Sequence, residues 1–212
     1  MVHKFLIATF TTIWKNFVTL FRLIDYRTVL TCLVLTIVLW PLIRGGFIRP
    51  TKQMLEIIQV VITGLFTFGL IVRFAWTRHL FLLWAMGFMA ITMCREIHFS
   101  GSDELLIFGW PILFGIVLWR YDLFKSYLVN PVLINLMAGG MLFYCLSQTF
   151  DQRWWKGLPG EDVVFVPLEE LTELLGHGTV GFAMLFSKEV RQPEKPRSAV
   201  KKKFTHKNFP QF

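Results

Sequence analysis

The chain has 212 residues, of which 54% are hydrophobic and 17% are charged, with a mean hydropathy of +0.53. This is more apolar than a soluble domain of that length requires, so we expect an integral membrane protein. The net charge of +8 comes largely from the segment between Lys188 and Lys207. A basic tail beside a membrane span is typical of contact with anionic lipid, and we expect no nucleic-acid partner.

Residues 1–24 repeat on a helical period. Basic and polar side chains fall mostly on one face, and bulky aromatic side chains, including Phe10, Trp14 and Phe17, fall on the other. Lysines opposite aromatic residues are typical of a helix that lies in the membrane interface. We therefore predict an N-terminal amphipathic interfacial helix over residues 1–24.

Six apolar segments follow, each roughly long enough to cross a hydrocarbon core of about 30 Å as a helix. They predict an all-α fold, a polytopic transmembrane helical bundle of about six spans within residues 25–187. Arginines near the span ends are expected to extend to the headgroups. The segments lie near residues 28–48, 55–75, 79–98, 104–121, 127–150 and 167–187, and the arginines are Arg27, Arg44, Arg73 and Arg120.

Lysine and arginine are distributed unevenly between the two sides of this predicted bundle. With six spans, the side that holds both termini carries 16 of the 22 basic residues. The positive-inside rule then places both termini in the cytoplasm and the protein in the cell inner (plasma) membrane, as a multi-pass protein. Residues 188–212 read as a basic, disordered cytoplasmic tail. The three cysteines are an odd number without CxxC spacing, which argues against a disulfide framework.

The last segment combines helix and membrane signals. Pro167 and two acids suggest a helix start, because proline suits the first turn and acids favour the positive end of the helix dipole. Steps of four residues then place Glu169, Glu173 and His177 on one face. Charged groups on a helix in lipid are costly, so these side chains should turn inward towards partners.

Those partners are predicted at the outer ends of spans three and five. Nearly all acids of the predicted bundle collect on that side, and the carboxylates outnumber the arginines that could pair with them. We therefore predict a polar pocket between spans three, five and six near the outer face, which binds a cation, a proton or a polar headgroup. The candidate residues are Arg95, Glu96, His98, Asp151, Arg153, Glu169, Glu170, Glu173 and His177.

Three interpretations of this cluster remain open. The charges can form structural ion pairs that fix helix packing. Glu96, His98, Glu173 and His177 can bind a divalent metal, although no HExxH or similar spacing is present. The stack of Glu169, Glu173 and His177 can also act as a proton or ion relay. Because GxSxG, P-loop and GxGxxG motifs are absent, no catalytic residue is assigned.

Three strings resemble a group of small bacterial polytopic inner-membrane proteins. That group carries an RE-x-[DH]-F motif, an aspartate after a span, and an LEE-x-x-E helix start. The matching strings run over 95–99, 150–153 and 168–174. The resemblance implies that Arg95, Glu96, His98, Asp151, Glu169, Glu170 and Glu173 belong to one site, but it implies no activity.

The chain also resembles, more distantly, the membrane hydrolase superfamily that includes alkaline ceramidases. Those enzymes place a zinc site at one membrane face, with two histidines in an HxxxH pair on the last helix, whereas span six here offers only His177. This resemblance gives an alternative function, a metal-dependent membrane hydrolase acting on a lipid or lipid-linked substrate. A second alternative is a structural subunit of a membrane complex. Membrane lipid, a membrane-protein partner and a homo-oligomer are the partners considered.

Overall fold

A computed structural model describes residues 2–97, 99–157 and 161–190. The described residues form eight α-helices and no β-strand, which confirms the predicted all-helical class. The helices are α1 Val2–Phe21, α2 Tyr26–Arg44, α3 Lys52–Thr77, α4 Leu80–Glu96, α5 Ser102–Trp119, α6 Tyr121–Leu128, α7 Pro131–Asp151 and α8 Glu161–Phe186.

Three helices in the described part of the chain, α2, α3 and α7, are long and apolar enough to cross a membrane. A fourth candidate appears if α5 and α6, which meet at 93°, are taken as one bent span. Helix α4 has 17 residues and α8 carries several acids, so length and composition do not establish them as spans. The coarse prediction of a membrane-associated helical bundle is supported, while the number of six spans stays a prediction.

Side-chain caps start three of the helices. The side chains of Asp25, Thr51 and Asn130 accept hydrogen bonds from backbone N–H groups of the first turns of α2, α3 and α7. Pro131 follows Asn130 in the first turn of α7, where its missing N–H has no cost. Each cap satisfies a donor that would otherwise remain without a partner at a helix end.

One amide side chain joins the start of α2 to α7. Oδ1 of Asn135 accepts hydrogen bonds from the backbone N–H of Asp25 at 2.7 Å and from the hydroxyl of Thr28 at 3.0 Å. Its Nδ2 donates to the carbonyl oxygens of Leu23 and Pro131. Because all these contacts involve a single residue, Asn135 fixes the turn between α1 and α2 against the bundle.

Helix α8 lies at the centre of the bundle and packs against α2, α3, α4 and α7. Its side chains Val164, Leu168, Val180 and Met184 are almost fully buried. Each step of four residues turns the side chain by about 40° around the axis, so these residues face different sides of a helix that has neighbours on several sides. The central position of α8 brings its acids into contact with several other helices.

Glycines permit the closest helix contacts. A Cβ on Gly140 of α7 would lie 2.3 Å from Cγ2 of Val180 and 3.2 Å from the carbonyl oxygen of Gly176 on α8. A Cβ on Gly181 of α8 would lie 2.2 Å from the ring of Phe66 on α3. Small residues at such positions let helix backbones approach, which is a common basis of packing in membranes.

The start of α8 differs from the prediction. The helix begins at Glu161, so Pro167 lies inside it and not in its first turn. Residues before the proline are also buried, since Val164 and Phe165 pack with Phe150 of α7 and Ile43 of α2. This burial outweighs the one backbone hydrogen bond that the proline removes.

Helix α1 covers most of the predicted segment 1–24. Its aromatic side chains Phe10, Trp14, Phe17 and Phe21 are exposed, whereas Asn16 donates a hydrogen bond to the carbonyl of Leu118 in α5 at 2.8 Å. The helix thus packs against α5 with its aromatic face turned away from the bundle. That face is available to lipid, and its interfacial position stays a prediction.

Arg73, which the sequence predicts to extend to lipid headgroups, has protein partners in the structure. Its guanidinium donates to the carbonyl oxygens of Met184, Leu185 and Ser187, where α8 ends. The last carbonyls of a helix have no intrahelical donor, and an arginine beside them also complements the helix dipole. Arg73 therefore anchors the end of α8 to α3.

We predict that Gly140→Ala destabilises the bundle, because the added methyl meets backbone atoms of α8 that cannot move independently. The expected result is a melting temperature in detergent lowered by several degrees. Gly115→Ala in α5 is the matched control, because nothing lies within 4 Å of its added Cβ. Alanine should leave that helix unchanged or slightly more stable. Equal melting temperatures of Gly140→Ala and Gly115→Ala would contradict the close contact of α7 with α8 at Gly140.

Candidate functional site

A buried ion pair connects α4 to α8. Nη2 of Arg95 lies 2.7 Å from Oε1 of Glu173, and the hydroxyl of Ser147 on α7 donates to the same oxygen at 2.9 Å. Ser147 and Glu173 are buried, and only 19% of the Arg95 side chain is exposed. Both charges thus have charge-assisted partners, which a buried pair requires to offset its lost hydration.

A second chain of contacts starts from the same arginine. Nη1 of Arg95 lies 3.5 Å from Oε1 of Glu96, and that oxygen lies 3.2 Å from Nε2 of His177. On the other side of the ring, Nδ1 of His177 lies 2.6 Å from the hydroxyl of Tyr144. The neutral tautomer with its proton on Nε2 suits both neighbours, because Tyr144 can then donate to Nδ1 while the N–H faces a carboxylate. The 3.2 Å contact has the distance of an ion pair but not the angles of a hydrogen bond.

Helix periodicity aligns these groups. Glu173 and His177 are one turn apart on α8, and Tyr144, Ser147 and Asp151 follow steps of three and four on α7. Gly176, between the two α8 groups, allows the Tyr144 ring to lie against the helix, since a Cβ there would come within 3.0 to 3.1 Å of three ring atoms. The glycine therefore positions the phenol beside His177.

A cleft of about 370 Å³ opens beside the Arg95–Glu173 pair. Trp110 of α5 is 9% exposed in it, and its indole N–H has no hydrogen-bond partner among the described residues. A buried donor without an acceptor is uncommon in proteins and needs an explanation. The residues that line this cleft are Arg95, Leu106, Ile107, Trp110, Tyr144, Gln148, Asp151 and Glu173.

A smaller cavity of about 220 Å³, here called the cup, lies next to the cleft and shares Asp151 with it. The side chain of Asp151 accepts a hydrogen bond from Gln152 at 3.1 Å, and within the described ranges it forms no ion pair. The charged groups of Arg153 and Glu169 likewise form no ion pair within the described ranges. The cup is lined by Lys52, Phe150, Asp151, Arg153, Glu161, Phe165, Val166 and Glu169.

Glu170 turns away from the cleft towards α3. Its carboxylate accepts a hydrogen bond from Nε2 of Gln59 at 3.2 Å and lies 3.6 Å from Nζ of Lys52. Gln59 also donates to the backbone carbonyl of Glu170 at 2.9 Å. Glu170 is 4% exposed, so these contacts fix α3 to α8, and we assign this residue a packing role.

The predicted nine-residue cluster is thus divided. Arg95, Glu96, Glu173 and His177 form one network, and Asp151 lies on the same cleft. Asp151, Arg153 and Glu169 line the cup, Glu170 contacts α3, and His98 lies outside the described residues.

The metal hypothesis gains no support from the part of the chain that the structure describes. No group of three or more His, Cys, Asp or Glu side chains in it could hold a metal ion. Glu96 and His177 do approach each other, but the proposed fourth member of the set, His98, is not described. The metal hypothesis therefore depends on His98, which lies outside the described residues.

Sequence reasoning missed several polar groups of the site. Tyr144, Ser147 and Gln148 precede Asp151 at intervals that place all four on one face of α7, and this spacing could have identified them. Gln59 is a single amide within an apolar stretch of α3, which also signals a buried partner. Trp110 carried no such signal, because aromatic residues are frequent throughout the chain.

We predict strong coupling between Arg95 and Glu173. Arg95→Gln or Glu173→Gln alone removes one charge of a buried pair and should cost about 3 kcal/mol of stability. The double variant should lose less than the sum of the two, because no uncompensated charge remains. Thermal unfolding of the four proteins in one detergent measures this coupling.

The exposed pair of Lys52 and Glu56 supplies the control. These groups lie 3.7 Å apart with side chains 56% and 32% exposed, so Glu56→Gln should change stability by less than about 1 kcal/mol. If the Arg95 and Glu173 variants had simply additive effects, the direct ion pair would be refuted.

Comparisons with known proteins are uniformly negative: no family model, no curated protein and no solved structure matches the chain. The resemblance of residues 95–99, 150–153 and 168–174 to a group of bacterial membrane proteins stays a prediction.

Proposed function

We propose that the cleft binds the cationic part of a small polar ligand or headgroup. The observation that carries this proposal is the charge distribution around Asp151. Arg95 is already engaged by Glu173 and Glu96, and Asp151 lies on the same cleft with no ion pair in the described residues. An additional positive charge near Asp151 would therefore be attracted to its carboxylate, which is exposed at the edge of the cleft.

The walls of the cleft favour an organic ammonium group. The rings of Trp110 and Tyr144, whose centroids are 4.9 Å apart, form part of the lining. Aromatic faces attract ammonium groups, most strongly where water is excluded. An inorganic ion would instead favour several converging oxygen ligands.

The unpartnered indole N–H adds a second requirement. Trp110 can donate a hydrogen bond, so a matching ligand carries an oxygen acceptor as well as a cation. A headgroup or small zwitterion with both features fits a cleft of about 370 Å³, which is within the usual range of ligand pockets. The alternative function, a metal-dependent hydrolase, would need a metal site, for which the described residues offer no ligand set.

The membrane arrangement belongs to the same proposal. We place six crossings in α2, α3, α4, α5, α7 and α8, with α6 as a short connecting helix and both termini in the cytoplasm of an inner (plasma) membrane protein. The excess of lysine and arginine on the side of the termini supports this orientation. The cleft and the cup then open towards the outer leaflet.

We predict that the purified protein binds ethanolamine and tetramethylammonium, and that Asp151→Asn weakens both at least about tenfold, since a contact between charged groups is lost. Trp110→Phe keeps an aromatic face but replaces the indole with a smaller ring that has no N–H. It should weaken ethanolamine, which has a hydroxyl oxygen, more than tetramethylammonium. Isothermal titration calorimetry measures these affinities.

Asp122→Asn is the matched control, because Asp122 is an exposed acid in the first turn of α6, away from the cleft. Its affinities should equal those of the unmodified protein. Unchanged binding in Asp151→Asn, or no binding of either cation, would refute the assignment of the cleft.

The orientation can be tested by cysteine labelling in a variant that lacks the three native cysteines. Trp154→Cys, in the exposed turn after α7, should react with a membrane-impermeant maleimide in intact cells. Trp76→Cys, at the exposed end of α3, should react only after the membrane is permeabilised. The reverse labelling pattern would show that the orientation is opposite to the proposed one. Equal labelling of both cysteines in intact cells would exclude a topology that places them on opposite sides of the membrane.

A further inference from the structure

We propose that the ligand is a phospholipid with a primary-amine headgroup, held with its acyl chain in an apolar groove and its headgroup in the cup. This inference rests on the proposed function, because it identifies the cation as the ammonium group of that lipid. Three features support it: the groove, the charged groups of the cup, and the shared wall between the two.

The groove is a cavity of about 530 Å³ between α2, α7 and α8. Its α2 wall includes Leu33, Ile37 and Trp40, which lie on one helix face and extend over about 10 Å. Thr36 is the one residue with a hydroxyl in this lining, and that hydroxyl donates to the carbonyl of Cys32 at 3.0 Å. The groove is therefore almost entirely apolar and suits a hydrocarbon chain.

Aromatic residues mark the end of the groove nearest the cup. Trp155 lines the groove, and its indole N–H donates to the hydroxyl of Thr149 at 2.9 Å, which fixes the ring at this end. Trp40 lies at the same level on α2, against Phe165 of α8. Tryptophans are typical of the depth at which acyl chains meet headgroups.

The cup provides charges of both signs at that depth. Arg153 and Lys52 supply two cations, and in the described ranges the guanidinium of Arg153 has no ion-pair or hydrogen-bond partner. Lys52 is held only by contacts of 3.6 and 3.7 Å. On the anionic side, the carboxylates of Asp151, Glu161 and Glu169 form no ion pair with a described residue, and Glu161 accepts a hydrogen bond from the backbone N–H of Gly157. A phosphodiester matches the two cations, and an ammonium group matches the carboxylates.

Phe150 connects the two cavities, because its ring lines both the groove and the cup. One amphiphile can therefore occupy both, with its chain along α2 and its phosphate beside Arg153. Asp151, which borders the cup and the cleft, then receives the ammonium group at the position where we place the cation of the proposed function. An anionic phosphoglycerol lipid would leave the carboxylates without a partner and add repulsion.

The test uses the full-length protein in detergent, titrated with phosphatidylethanolamine, phosphatidylglycerol and chain-free phosphorylethanolamine, with native mass spectrometry to count bound lipid. We expect phosphatidylethanolamine to bind at least about tenfold more tightly than either of the other two. Arg153→Gln should reduce its affinity about tenfold without changing the binding of ethanolamine. Arg78→Gln is the control. Arg78 (φ 54°) and Arg153 (φ 50°) are both exposed residues with positive φ angles, but Arg78 follows the end of α3 that lies opposite Lys52 and the cup.

The groove is tested separately with Ile37→Trp, which places a large ring where the chain would lie. It should weaken phosphatidylethanolamine and leave phosphorylethanolamine unaffected. Leu65→Trp on α3 is its control, since Leu65 is 64% exposed, Ile37 is 68% exposed, and Leu65 does not line the groove.

The outcomes separate the two proposals. Binding of ethanolamine that depends on Asp151, without preference for phosphatidylethanolamine over phosphatidylglycerol, would overturn the lipid inference and leave the cation site intact. Equal effects of Arg153→Gln and Arg78→Gln would also overturn the lipid inference. If the unmodified protein bound no ethanolamine and showed no preference for phosphatidylethanolamine, both proposals would be overturned.

Discussion

The pairing of Arg95 with Glu173 is the interaction on which the arrangement of helices depends. Ionised groups within a membrane helix are costly unless they meet partners away from lipid. Arg95 lies on α4, Glu173 on α8, and Ser147 on α7 donates to the same carboxylate. Because a single ion pair and one hydroxyl require three helices to converge, the cleft beside them follows from the same constraint.

The division of the charges explains how packing and binding can coexist in a small bundle. Glu170 is satisfied by Gln59 and Lys52 and holds α3 against α8, while Glu173 is satisfied by Arg95 and Ser147. Asp151 remains at the boundary of two cavities without such a partner in the described structure. The buried acids Glu170 and Glu173 therefore stabilise the frame, and Asp151 is the acid on which the proposed cation binding rests.

The all-helical class and the shared face of Glu173 and His177 could be predicted from the sequence, because their physical signals are local. Long apolar segments identify helices, and steps of four residues identify the shared face of Glu173 and His177. The start of α8 was not predictable from its proline, since burial of Val164 and Phe165 decided it. The contact of Arg73 with the end of α8 was equally hidden, because it joins residues more than 100 positions apart.

The glycine at position 176 links the backbone to the chemistry of the site. Because Gly176 has no side chain, the Tyr144 ring can lie against the helix there. From this position its hydroxyl contacts Nδ1 of His177. A methyl group at this position would push the phenol away from the imidazole while every ionisable residue remained in place. In a genetic screen for loss of function, such a mutant would look like a defect in a reactive side chain, although its origin would be purely steric.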